Sequence, residues 1–163
     1  MRALVLALLV APALLSAQDP QGPLAGIFPE QQGPPANYLG YAFVQCGPAN
    51  APGLRIVALQ GLIPEGIPKA PPRPSIELVI PGTVETMLGK QLTLGPKPAA
   101  EGAMALSCPV VGDCAPAESG ALVLTSRTDS GAVVGEFRAK WGIGAPRAGR
   151  FTAAWRESQA KCG

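Results

Sequence analysis

Apolar and polar positions alternate most regularly over residues 120–155 of the 163-residue chain. Val133, Gly135, Phe137, Ala139 and Trp141 make one row, and Val134, Glu136, Arg138 and Lys140 the other. A period of two predicts a half-buried antiparallel strand, with the charged row facing out. Leu122 and Leu124 begin a similar row before it. Gly149, Phe151, Ala153 and Trp155 repeat the scheme after it, opposite Arg150, Thr152 and Arg156. Asp129-Ser130-Gly131 supplies turn chemistry for the first connection, while Gly142, Gly144 and Pro146 break the second, so the three strands form a meander. Gly-x-Phe occurs at 135–137 and at 149–151, which predicts neighbouring strands in which a glycine leaves room for an aromatic ring across the pair.

Earlier in the chain, residues 38–46 and 54–60 read as two strands of a hairpin, apolar on both faces apart from Gln45 and Arg55. Residues 61–74 hold five prolines and cannot join a central sheet, because each proline removes a ladder donor. That stretch is expected to be a long surface loop, a kind of segment that sometimes carries binding function. Ile76, Leu78 and Ile80 face inward in a strand over 75–80, with Glu77 outward. Residues 83–89 fit one helical turn or an irregular strand, and 90–94 and 103–108 are short strands. About eight short strands with breaker-rich connections predict an all-β antiparallel sandwich, with a closed barrel as the alternative.

Residues 1–17 carry Arg2, an apolar run and a small-residue end before Gln18, the pattern of a secretory signal peptide cleaved after Ala17. A spanning helix needs about 20 apolar residues, and Asp19 and Pro20 follow too soon. Residues 18–36 read as a flexible Pro/Gly-rich lead-in, from which Ile27 and Phe28 can dock on a sheet edge or a partner, and 37–163 as one domain. The expected location is secreted or periplasmic, with no membrane span once the leader is removed.

Four cysteines in an exported chain predict two disulfides. Cys108 and Cys114 enclose a short bendable loop and are expected to pair, leaving Cys46 to join Cys162. Zinc would need closely spaced cysteine pairs or histidine partners, and the chain has no histidine. The expectation is therefore no metal and no cofactor.

Charge changes the picture little. Without Arg2 the balance is 12 basic to 11 acidic residues, a net +1, which implies neither nucleic acid nor an anionic membrane as partner. The small basic cluster of Lys140, Arg147, Arg150 and Arg156 reads as a solvated strand face.

The missing histidine removes the usual general base and the Ser-His-Asp and Cys-His constellations. Asp129 stands alone in turn chemistry, unlike a calcium loop, and Gly142-Ile143-Gly144 is not followed by a helix, unlike a phosphate cradle. By parity Trp141 and Trp155 belong to the inward rows, so they are expected in the core and not as sugar-stacking platforms. The functional expectation is a non-catalytic binding or structural module of the envelope or extracellular space, with an unknown protein or glycan partner. Pro64, Pro68, Pro71, Pro72 and Arg73 of the proline-rich loop, with Arg147 and Arg150 of the last hairpin, are the candidate partner surface. A carboxylate-dependent enzyme acting on glycans is one alternative, requiring two carboxyl groups about 5–10 Å apart on a concave face. An inhibitor of an exported protease is another, requiring Val110 and Val111 to project from the 108–114 loop into solvent.

Overall fold

In the computed structural model, residues 23–24, 27–28, 34–47, 50–97 and 102–162 are described. The leader and most of residues 18–36 lie outside them. Nine strands follow one another as β1 (Ala36–Cys46), β2 (Pro52–Leu59), β3 (Ser75–Pro81), β4 (Gln91–Leu94), β5 (Met104–Val110), β6 (Asp113–Pro116), β7 (Ser119–Arg127), β8 (Val133–Lys140) and β9 (Arg147–Trp155). One helical turn, α1 (Val84–Met87), sits between β3 and β4.

All nine strands belong to a single sheet in the order β4-β7-β8-β9-β1-β2-β3-β5-β6. This corrects the expectation of an antiparallel sandwich: the sheet is continuous and mixed, because β1 pairs with β9 in parallel, Tyr38 opposite Phe151 and Ala42 opposite Trp155. The predicted hairpin of β1 with β2 and the meander of β7, β8 and β9 are antiparallel. The sheet curls into a half-barrel, far enough for its edge strand β4 to make one bridge with the residue before β5, the neighbour of the other edge strand. Ala103 N donates to Thr93 O (2.9 Å) and Gly95 N to Ala103 O (3.2 Å), joining the end of β4 to the start of β5. Curling gives the long sheet one interior face without the need for a second sheet.

The concave face is filled. Ala42, Leu54, Ile56, Ala58, Ile76, Leu78, Ile80, Leu92, Leu94, Leu122, Leu124, Phe137 and Phe151 form one buried cluster drawn from nearly every strand. The two Gly-x-Phe elements work as the sequence predicts. Gly135 pairs with Phe151 and Phe137 with Gly149, and a methyl group at either glycine would lie 2.5 Å from the opposite ring. Trp141 and Trp155 pack against this cluster from its periphery. Val84 of α1 joins the cluster and Met87 packs on it, next to the ends of β2 and β9.

The convex face explains why the first strands are apolar on both sides. Tyr41, Val57 and Leu59 are buried there, with Phe43 and with Ile63 of the proline-rich loop packed over them. Further round, Leu24 and Ile27 cover Ala121 and Val123 of β7. Loop segments thus form the outer layer that a sandwich would build from a second sheet.

Candidate functional site

Charged residues read as outward-facing prove to be buried on this convex face. Arg55 of β2 stands opposite Val79 and beside Glu77 of β3, and Arg73 at the end of the proline-rich loop reaches Glu77. Glu77 is fully buried. Its carboxylate is ion-paired with Arg55, and Arg73 Nη1 lies 2.7 Å from Oε1. Arg55 Nη1 also donates to Gln45 Oε1 at 3.0 Å, and Arg73 Nη1 donates to the Ser75 hydroxyl. A second group of the same composition surrounds Glu136, with Arg150 Nε at 3.3 Å and Arg138 Nε at 3.6 Å. Arg138 Nη1 also donates to the Ile27 carbonyl at 3.4 Å. Each buried carboxylate is flanked by two guanidiniums that offset its charge, although Glu136 Oε1 itself accepts no hydrogen bond.

These contacts fix the predicted partner residues. Arg73 is committed to Glu77, and Arg156 Nη2 donates to the Pro64 carbonyl (3.3 Å), so both ends of the proline-rich loop are tied down. Pro68, Pro71 and Pro72 are half-buried, while Leu62 is 96% exposed at the loop's outer side. The strand pleat sends Arg147 and Arg150 to opposite faces of β9. Arg150 joins Glu136 on the convex face, whereas Arg147 lies 5.8 Å above the Trp141 ring at the mouth of the curl.

Tyr41 is buried beside the Glu77 group, and its hydroxyl has no hydrogen-bond partner. Burial, and next the Glu77 charge, push its phenol up to about 12, against the pull of Arg55 and Arg73. The folded state therefore keeps a proton that the unfolded chain loses above pH 10, and the stability this provides disappears as pH rises from 10 toward 12. Melting temperatures over that range are expected to fall more steeply for the native protein than for Tyr41→Phe. Parallel profiles would contradict the assignment.

Both cysteine pairs join as the sequence suggests, Cys46 with Cys162 and Cys108 with Cys114. Arg73 Nη2 lies 3.7 Å from Cys114 Sγ, which couples the shorter disulfide to the buried carboxylate. Glu77, Cys108 and Cys114 bring ligand-type atoms within 4.8 Å of one another, but both sulfurs are in the disulfide and the carboxylate faces two cations. That donor set does not suit a metal ion.

The same disulfide staples the β5–β6 hairpin. Val110 pairs with Asp113, leaving Val111 and Gly112 as the turn, with Gly112 at φ +83° where a side chain would be strained. Val110 is 57% and Val111 76% exposed, and every residue of β6 is exposed. Two adjacent β-branched side chains thus stand in water on a covalently closed tip.

A second feature lies where the strands open away from α1. Tyr38, Gln60, Ser75, Ser107 and Arg147, from five different chain segments, line a half-open cavity of about 100 Å³. Tyr38 stacks obliquely on Phe137 at 5.6 Å. Burial holds the Tyr38 phenol above its ordinary range although Arg147 pulls the other way, so its hydroxyl is protonated at neutral pH. Of these five residues, sequence reasoning nominated only Arg147 as a binding residue. The others sit at strand ends that converge only through the observed register. No protein-family model matches the chain, and no curated protein or solved structure matches it either.

Proposed function

We propose that this protein is an exported, non-catalytic binding module that recognises a protein partner through the disulfide-framed tip of residues 108–114. The observation that carries this reading is the exposed Val110–Val111 pair, held on a stapled hairpin whose base is tied to Glu77 through Arg73. Pre-ordering a loop reduces the entropy lost on binding, and exposed aliphatic side chains supply the contact area. The non-catalytic part is supported by the filled interior and by the position of the sheet's two buried acidic residues, Glu77 and Glu136, on the convex face between guanidiniums. Export is supported by two disulfides and by the leader-like residues 1–17; among the described residues no helix is long and apolar enough to cross a membrane.

A photo-crosslinking amino acid at Val111, in the protein expressed in its own cells, is expected to give one discrete protein adduct. The same probe at Thr152, exposed on β9, gives none. Val110→Asp is expected to abolish the Val111 adduct while changing stability by less than about 0.5 kcal/mol, as for other exposed positions. Equal labelling from both positions, or an adduct indifferent to Val110→Asp, would eliminate the tip as the recognition element.

The exposed valines also favour a second reading, inhibition of an exported protease, since that reading requires this pair in solvent. Stoichiometric inhibition of a protease that prefers small aliphatic residues, lost in Val110→Asp, is its test.

A further inference from the structure

We propose that the mouth of the curled sheet is a binding site for a small oxyanion, held by the Arg147 guanidinium inside a ring of hydroxyl and amide donors. This site rests on the cavity alone and stands or falls independently of the hairpin tip.

The lining is unbalanced in charge and in hydrogen-bonding capacity. Among the described residues Arg147 has an aromatic ring on one side, 5.8 Å away, and no carboxylate partner. Among the described arginines Arg55, Arg73, Arg127, Arg138 and Arg150 are each paired with an acid, and Arg156, which is not, donates to the Pro64 carbonyl. With Arg147 the cavity is lined by Tyr38 and Ser107, which carry hydroxyls, and by the amide-bearing Gln60, and no acidic residue lines it. Ser75 also lines the cavity, but its hydroxyl accepts from Arg73 within the Glu77 group on the convex face and is not one of the donors. The next carboxylate along β3, Glu77, lies beyond Ser75 and is matched by two guanidiniums.

A guanidinium stacked on an indole keeps its N–H edge for a planar or tetrahedral oxyanion, which it can meet with two parallel hydrogen bonds. Hydroxyls can donate or accept, and beside a lone cation they turn their protons toward an anion. The floor is apolar, formed by Ile76 and by the Tyr38 ring on Phe137, so these donors act in a medium less screening than bulk water. Size narrows the ligand further. The half-open cavity of about 100 Å³ has room at the guanidinium for a compact group such as a carboxylate or phosphate.

Amide chemical-shift mapping of the full oxidised protein at fixed ionic strength tests the site with acetate, inorganic phosphate and sulfate, and with acetamide as the neutral counterpart of acetate. Saturable shifts are expected at Gln60, Ser75, Ser107 and Arg147, with half-saturation in the millimolar range and none for acetamide. The ranking of acetate against phosphate and sulfate reports whether a carboxylate or a tetrahedral group is the better fit. Arg147→Ala is expected to weaken binding at least tenfold and Arg147→Lys less, because lysine keeps the charge but not the fork. Ser107→Ala, on another strand, is expected to weaken it two- to fivefold with Arg147 intact. Unchanged shifts for residues around Phe137 and Phe151 verify that each variant is folded. Shifts that scatter without saturation, equal responses to acetate and acetamide, or unchanged binding in both Arg147→Ala and Ser107→Ala would overturn the proposal.

Discussion

Cys46→Ser with Cys162→Ser is expected to cost about 5 kcal/mol of folding stability, the chain-entropy value for a closed loop of this length. The two cysteines are 116 residues apart in sequence and lie together beyond the Ala42–Trp155 end of the seam that the parallel pairing creates. Beyond β9 the tail keeps to β1. Arg156 N donates to Ala42 O (2.8 Å) and the Ser158 hydroxyl to Val44 O (2.7 Å), and the disulfide then locks the tail at Cys46. The seam joins β9, the last strand of the meander, to β1, the first strand of the opening hairpin, so the clasp holds the two halves of the curl together. At about 3 °C per kcal/mol for a chain of this size, the melting temperature should drop by roughly 15 °C. Cys108→Ser with Cys114→Ser opens a loop whose ends are only six residues apart and should cost about half as much. Thermal melts of the two double variants give the comparison directly. Equal costs, or a greater cost at the hairpin, would mean that the tail is not a clasp.

Glu77→Ala is expected to lose about 3–5 kcal/mol, because it leaves two guanidiniums facing each other without the carboxylate that brought them in. The lower part of that range applies, since the Arg55 side chain is 27% and that of Arg73 15% exposed, and water recovers some of their solvation. The consequence reaches the proposed recognition tip. Releasing Arg73 removes the contact with Cys114, so amide exchange within residues 108–114 should accelerate beyond what the global loss of stability produces. Urea unfolding followed by hydrogen exchange separates the two effects. A change below about 1 kcal/mol, with the hairpin as protected as before, would show that the group neither supports the fold nor steadies the tip.

The pattern of these two effects also shows which parts of the molecule can be read from the chain. Strands β7, β8 and β9 and their turns are legible because a two-residue period needs only local information. The reciprocal Gly135–Phe151 and Phe137–Gly149 pairs follow from the same row once the two strands are taken as neighbours. The disulfide pairing was legible from loop length alone. β6 was not, because Asp-Cys-Ala-Pro has no alternation and is fully exposed. Nor was the parallel contact of β1 with β9, which joins residues more than a hundred positions apart with no turn to announce it.

That missing contact is why a sandwich was expected. Double-sided apolar strands such as β1 and β2 signal a second layer, but they do not say whether strands or loops build it. Here Ile63 and the rest of the proline-rich loop do so. The buried ion groups left a trace that was readable in principle. Arg55 and Glu77 are single charges inside strands that are otherwise apolar on both faces, and a charge in such a strand must find a partner. The mouth cavity left none, since its donors come from strand ends that only the curl brings together.

The most direct test of an exported, doubly clasped module is peptide mapping by mass spectrometry, with and without reduction, of the protein recovered from outside the cytoplasm. The account predicts a chain that begins at Gln18 and yields linked peptides containing Cys46 with Cys162 and Cys108 with Cys114. Free thiols, a different pairing, or a chain that retains residues 1–17 inside the cell would contradict it.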